Sequence, residues 1–201
     1  MTNKLLRGGI IVLLIAVCSS AGAQSAEEAA SAQRRLDAAL ASFAPQRPGV
    51  VDAYVIAVSL NGDPVFGREA REAGKVLSRR FDAVGRTVVL AQDEGSSRAD
   101  ATGSPVNLAH ALIRVAQVMD RNEDVLVLYS TSHGARGSGL VYQAAGGEAV
   151  NALVPPRNLS KLFKQLGIKN RLVIIQACYS GQFIPALKSD SSIVLTAASA
   201  D

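Results

Sequence analysis

From Gly49 onward, short apolar runs alternate with helically patterned segments, and this alternation restricts the possible folds more than any other feature of the chain. Two parallel strands need a crossover between them, and a helix is the usual one, so such a series predicts a parallel sheet with helices on its faces. The runs Asp52–Leu60, Thr87–Ala91, Asp124–Tyr129, Arg171–Ala177 and Ile193–Ala197 are rich in Val, Ile and Leu without strict alternation. That pattern predicts strands covered on both faces. Helical spacing falls on Arg68–Phe81, Val106–Met119 and Asn158–Leu166, and is clearest in the second, through Leu108, Leu112, Val115, Ala116 and Met119. Gly134–Gly147 is glycine-rich and weakly apolar, which predicts a loop or small hairpin projecting from one edge. The expected fold class is α/β, three-layered, with a mostly parallel central sheet flanked by helices.

The N-terminal part is different. Residues 1–23 read as an export signal, with Lys4 and Arg7 as the positive start, an apolar run from Ile10 to Val17, and Ala21-Gly22-Ala23 as a small-residue cleavage site. The apolar run is too short to span a bilayer, so the expectation is an exported protein, periplasmic or secreted, without a membrane span. Cys18 offers a lipoprotein acylation site as the minority alternative. Residues 24–48 read as a helix and linker: Ser25 and Glu28 have capping-box spacing, Leu36, Leu40 and Phe43 form a narrow stripe, and Pro45, Pro48 and Gly49 end the segment. Residues 49–201 form the expected main domain.

Charge excludes one class of partner. Lys4 and Arg7 account for two of the 21 basic residues, and without them the formal charge falls from +4 to +2. With no Trp and four Tyr, the chain lacks both the basic footprint and the aromatic platforms of a nucleic-acid binder. Metal binding is equally unsupported, since two His and one Cys beyond the signal give no ligand spacing. No cofactor is expected.

Ligand crevices in open parallel sheets lie beyond the carboxyl ends of the strands, and two strand ends here carry chemistry. Val125-Leu126-Val127-Leu128-Tyr129 leads through Ser130-Thr131-Ser132 to His133-Gly134, and Leu172-Val173-Ile174-Ile175-Gln176 leads through Ala177 to Cys178-Tyr179-Ser180-Gly181. If the two strands are neighbours, an imidazole and a thiol share one rim about 4.8 Å apart at the backbone. A free thiol is mostly protonated at neutral pH, and an adjacent imidazole can take its proton and later deliver one to a leaving amine. Gly134 can present an unobstructed N–H to a developing oxyanion, and the N–H of Cys178 is the natural second donor.

These residues resemble the legumain-type (hemoglobinase) cysteine peptidases of the caspase-like clan. The resemblance rests on Tyr129-Ser130-Thr131-Ser132-His133-Gly134 and Gln176-Ala177-Cys178-Tyr179-Ser180-Gly181, with support from Phe66–Glu69, Met119–Asp124 and Val194–Asp201, which look like the bacterial branch. It implies a caspase-like fold, Cys178 as nucleophile, His133 as general base and acid, an oxyanion hole from Gly134 and Cys178, and peptide-bond hydrolysis through a thioester. It also suggests Arg68, Gln176 and Ser199 as residues facing the peptide or protein substrate, and Asn61 as a residue that orients the histidine. Legumain itself has an acidic residue where this chain has Gln176, so asparagine selectivity is not implied. Members of the family continue past the point matching Asp201, so the domain is expected to be incomplete at its C-terminus.

Other functional classes remain open on the residues alone. One is a noncatalytic member of the fold acting as a binding or assembly module, and another is acyl transfer to an amine. His110 reads as a surface residue, Tyr129 and Tyr142 as packing residues, Arg79, Arg80, Asp82 and Arg86 as a solvated helix end, and Asp93-Glu94 with Arg98 and Asp100 as a polar loop.

Overall fold

The structure is a computed structural model that describes residue 27 and residues 30–92, 98–147 and 149–201. The export signal with Cys18, the Ser25–Glu28 capping box and the Asp93-Glu94 dipeptide lie outside the described residues. Residues 30–41 form helix α1. There follow β1 (Ala53–Ser59), α2 (Pro64–Arg80), β2 (Thr87–Leu90), α3 (Pro105–Val118), β3 (Val125–Thr131), β4 (Gly134–Ala135), β5 (Gly139–Tyr142), β6 (Ala152–Val154), α4 (Pro156–Leu166), β7 (Arg171–Gln176), a 3₁₀ turn at Ser180–Phe183, α5 (Ile184–Leu187) and β8 (Ser192–Thr196).

The apolar runs pair as a five-stranded sheet in the order β2-β1-β3-β7-β8, every neighbouring pair parallel. Growth of the sheet reverses between β1 and β3, so the carboxyl ends at the centre open into a crevice. On one face α2 lies close to the strands because the residues it buries are small: Gly67, Ala70 and Gly74. A Cβ at Gly74 would stand 2.7 Å from Cγ2 of Val89 and 3.3 Å from Cβ of Ala57. The opposite face carries the main core, where Tyr54, Ile56, Leu126, Leu128, Val173 and Ile175 of the strands meet Leu36 and Leu40 of α1, Leu112 and Val115 of α3, and Phe163 of α4. The arrangement is the α/β, caspase-like one, and α1 is part of its core.

Several expectations need correction. Helix α2 begins at Pro64 rather than Arg68, because Asp63 caps it by accepting the N–H of Val65 at 3.2 Å and proline costs nothing at a position whose N–H has no helical partner. Proline likewise opens α3, whose cap Ser104 accepts from Asn107 at 3.1 Å, and α4 at Pro156. Asp124 does not open β3. It is fully buried and accepts the N–H groups of Asp52 (2.9 Å) and Asp120 (2.8 Å), tying the amino ends of β1 and β3 to the turn after α3. Gly134–Gly147 forms the hairpin β4–β5, which β6 extends to a three-stranded antiparallel sheet. It folds back onto the sheet instead of projecting: Gln143 donates to Leu60 and accepts from Gly62 through its backbone.

Two further corrections concern burial. Strand β8 is an edge strand and is not covered on both faces, with Ile193 61% and Leu195 51% exposed. Arg86 is not solvated but 7% exposed, since it forms an ion pair with the buried Asp52 at 3.3 Å and donates to the carbonyl of Pro45 at 2.7 Å.

Candidate active site

Strands β3 and β7 are direct neighbours, with Thr131 opposite Gln176, and the ladder continues one step past the strands as Ser132 donates to the Gln176 carbonyl at 3.2 Å. The two segments singled out in the sequence therefore leave the sheet side by side. After Thr131 the chain turns because Ser132 is buried and its hydroxyl donates to the carbonyl of Val141, while Val141 donates in turn to the carbonyl of His133 at 2.9 Å. His133 itself is exposed. After Gln176 and the buried Ala177, Cys178 is an exposed free thiol, and Tyr179 takes a left-handed conformation, φ 55°, that bends the chain into the 3₁₀ turn.

The two segments touch at Gly134 and Cys178. A Cβ at Gly134 would lie 1.8 Å from the carbonyl oxygen of Cys178 and 3.2 Å from its nitrogen, so only glycine fits. Gly134 faces Leu140 across the hairpin in a non-hydrogen-bonded pair, because the bond flanking it runs from Val141 to His133. In that geometry the Gly134 N–H is not committed to the opposite strand. Among the described residues the Cys178 N–H has no protein acceptor either.

Surrounding residues hold this contact in place. The amide nitrogen of Gln182 donates to Ala135 on the histidine side (3.1 Å) and to Tyr179 on the cysteine side (2.9 Å). The Arg136 guanidinium stands 6.0 Å from the Tyr179 ring centroid. Phe66, in the first turn of α2, meets the His133 ring edge-to-face at 4.9 Å between centroids and 81° between planes. Glu69, one turn further, accepts the Thr131 hydroxyl at 2.6 Å. Burial, and then the negative charge of Glu69, push the pKa of the Tyr129 phenol up, in keeping with a packing role. Sequence reading gave no role to Gln182, Glu69 or Phe66. A polar amide four residues after the cysteine is a visible signal for Gln182, whereas the other two lie in a stretch that supports the resemblance but act across the chain, so nothing local shows what they touch.

The proposed substrate-facing residues divide. Gln176 is exposed at the end of β7. Ser199 lies beside the cysteine turn: Gly181 donates to the carbonyls of Ala198 (2.9 Å) and Ser199 (3.3 Å), and the Ser180 hydroxyl accepts from Ala198 at 3.1 Å. Arg68 is exposed on α2, and its side chain makes no hydrogen bond or ion pair with the described residues. Asn61, 5% exposed, uses its amide on Gln143 (3.2 Å) and its oxygen on the N–H of Asp63 (2.9 Å), so neither group is bonded to His133. His110 is an exposed residue of α3. No three His, Cys, Asp or Glu side chains among the described residues are grouped to hold a metal ion.

An exposed thiol and an exposed imidazole thus leave adjacent strand ends, and backbone N–H groups lie at their junction. That set can carry out nucleophilic attack on a carbonyl. The model of the Peptidase C13 family matches residues 107–201, a span that holds both strand ends. No curated protein matches the chain.

Proposed function

We propose, from the premise that this is a Peptidase C13 chain, of the legumain-type cysteine peptidases, over residues 107–201, that it is an endopeptidase working through a Cys178–His133 dyad. His133 takes the Cys178 proton as the sulfur attacks the scissile carbonyl carbon, and the N–H groups of Gly134 and Cys178 receive the oxyanion. The tetrahedral intermediate expels the amine, protonated by His133, and leaves a thioester. Water, deprotonated by His133, then attacks the thioester carbon, which releases the acid and restores the thiol. Gln176 and Ser199 border the cysteine turn and are the residues we assign to the substrate side chain. Export of the protein rests on the sequence of residues 1–23 and is part of the same reading.

The observation that carries the proposal is the apposition of Gly134 and Cys178, which leaves no room for a side chain between the two segments. The test is alkylation. Iodoacetamide should label Cys178 in the folded protein faster than a free-thiol peptide, and His133→Ala should slow this by roughly 10²-fold, the low end for loss of a positioned base. Peptide turnover should vanish in Cys178→Ser. Labelling of native Cys178 at the peptide rate, indifferent to His133→Ala, would refute the dyad. Analysis of products with an added amine separates hydrolysis from acyl transfer.

A further inference from the structure

From residue 149 to residue 189 the sequence contains no Asp or Glu, while Arg157, Lys161, Lys164, Lys169, Arg171 and Lys188 contribute six cations. Such segregation is out of keeping with a chain of formal charge only +4. Four of these cations converge in space from separate elements. Lys164 comes from the last turn of α4, Lys169 from the loop before β7, Arg171 from the start of β7 and Lys188 from the end of α5, and all four line one cavity of about 440 Å³. No acidic residue lines it, and among the described residues none of the four makes an ion pair.

Arg171 is a fixed charge in this wall. Its Nη1 donates to the carbonyls of Ile168 and Lys169, both at 2.9 Å, its Nη2 to that of Leu187 at 2.8 Å, and the guanidinium lies 5.0 Å from the Phe163 ring centroid. All these partners are neutral. Burial lowers its pKa, and among the described residues no carboxylate stands against the guanidinium to oppose that effect. The cavity floor is apolar, formed by the buried Phe163 and Ile168 with Pro185 beside them, and Ser189 and Ser191 add hydroxyls. Ammonium point charges and hydroxyls suit phosphate oxygens, and the volume falls in the range of small-ligand sites, roughly 300–1,000 Å³.

We infer that the cavity between α4 and the segment following α5 is a binding site for a phosphate group borne by a small molecule with an apolar part. It sits at the amino end of β7, whereas Cys178 follows the carboxyl end, so the inference stands or falls independently of the peptidase reading.

Isothermal titration of the full chain tests it with three monomeric probes: inorganic phosphate, dihexanoyl phosphatidate and dihexanoyl phosphatidylcholine. Saturable binding of phosphatidate, with one molecule per chain, is expected, with weaker binding of phosphate and none of phosphatidylcholine. The double variant Lys164→Ser/Lys188→Ser should weaken phosphatidate by roughly tenfold or more, as befits loss of two charge-assisted contacts. Lys164→Arg/Lys188→Arg should bind nearly as the parent does, and Arg79→Ser/Arg80→Ser, on α2, should change nothing. Equal affinity for phosphate and phosphatidate would overturn the apolar part of the inference and identify the ligand as free phosphate. Failure of both anions to saturate, equal binding of phosphatidylcholine, or equal losses in the Lys164→Ser/Lys188→Ser and Arg79→Ser/Arg80→Ser variants would overturn it.

Discussion

At Gly134 a single hydrogen in place of a side chain lets the histidine and cysteine segments meet. Gly134→Ala would put a methyl group 1.8 Å from the Cys178 carbonyl oxygen, and the backbone fixes the position of both atoms, so neither can rotate away. We expect a stability loss of about 1–3 kcal/mol from overpacking and a fall in Cys178 alkylation of roughly 10²-fold, the cost of a misplacement near 1 Å. Alkylation at the parent rate in a folded Gly134→Ala protein would show that this contact does not set the thiol's reactivity. His133-Gly134 and Cys178 were legible in the sequence because each chemical group sits in a contiguous segment behind an apolar run. Phe66 and Gln182 were not, since what they do depends on a helix laid across the strand ends and on a turn folded back on a hairpin. Asn61 shows the converse: a plausible residue type in the right region, whose polar groups are taken by Gln143 and Asp63.

Among the elements, the strands were the most legible because hydrophobic runs report burial directly, and every expected strand is present within about two residues. Helix starts were less so. The expected helices start after the prolines that lie in the first turns of α2, α3 and α4, where a missing N–H is harmless. The small residues of α2 were also silent, because Gly67 and Gly74 look like weak helix formers and Ala70 like an ordinary helical residue until the strands beneath them are seen. Gly74→Leu tests that reading: it should destabilise by about 2–3 kcal/mol, since the new side chain must displace the stiff Val89, measured by urea unfolding. A neutral result would mean that α2 has room to lift from the sheet. Edge strand β8 was misjudged because its composition matches that of the central strands, and nothing local distinguishes a covered face from an open one.

At the scale of the whole molecule, the sheet has a structural end and a chemical end. The amino ends of the strands are held by charge: Asp52 is buried, with Arg47 at 2.6 Å and Arg86 at 3.3 Å. Burial alone would raise the Asp52 pKa, but hydrogen bonds from Arg47 and the charges of both arginines outweigh it and hold the carboxyl below its usual range. Its contribution to stability is therefore complete above the unfolded value, about pH 4, and is lost as pH falls through the lower folded value. Asp52→Asn should cost about 3 kcal/mol at neutral pH, because Arg86 stays buried without its partner, and should flatten the dependence of stability on pH below about pH 4. Urea titrations across that range decide it, and an unchanged acid slope would assign the effect elsewhere. The chemical end is assembled differently. Neighbours in space, β3 and β7 are separated in the chain by everything from Ser132 to Asn170, and closing so long a loop is repaid only when the middle of the sheet forms. A newly made chain thus carries a thiol with no imidazole beside it, and the attack on neighbouring polypeptides that we propose for the pair has to wait until folding is finished.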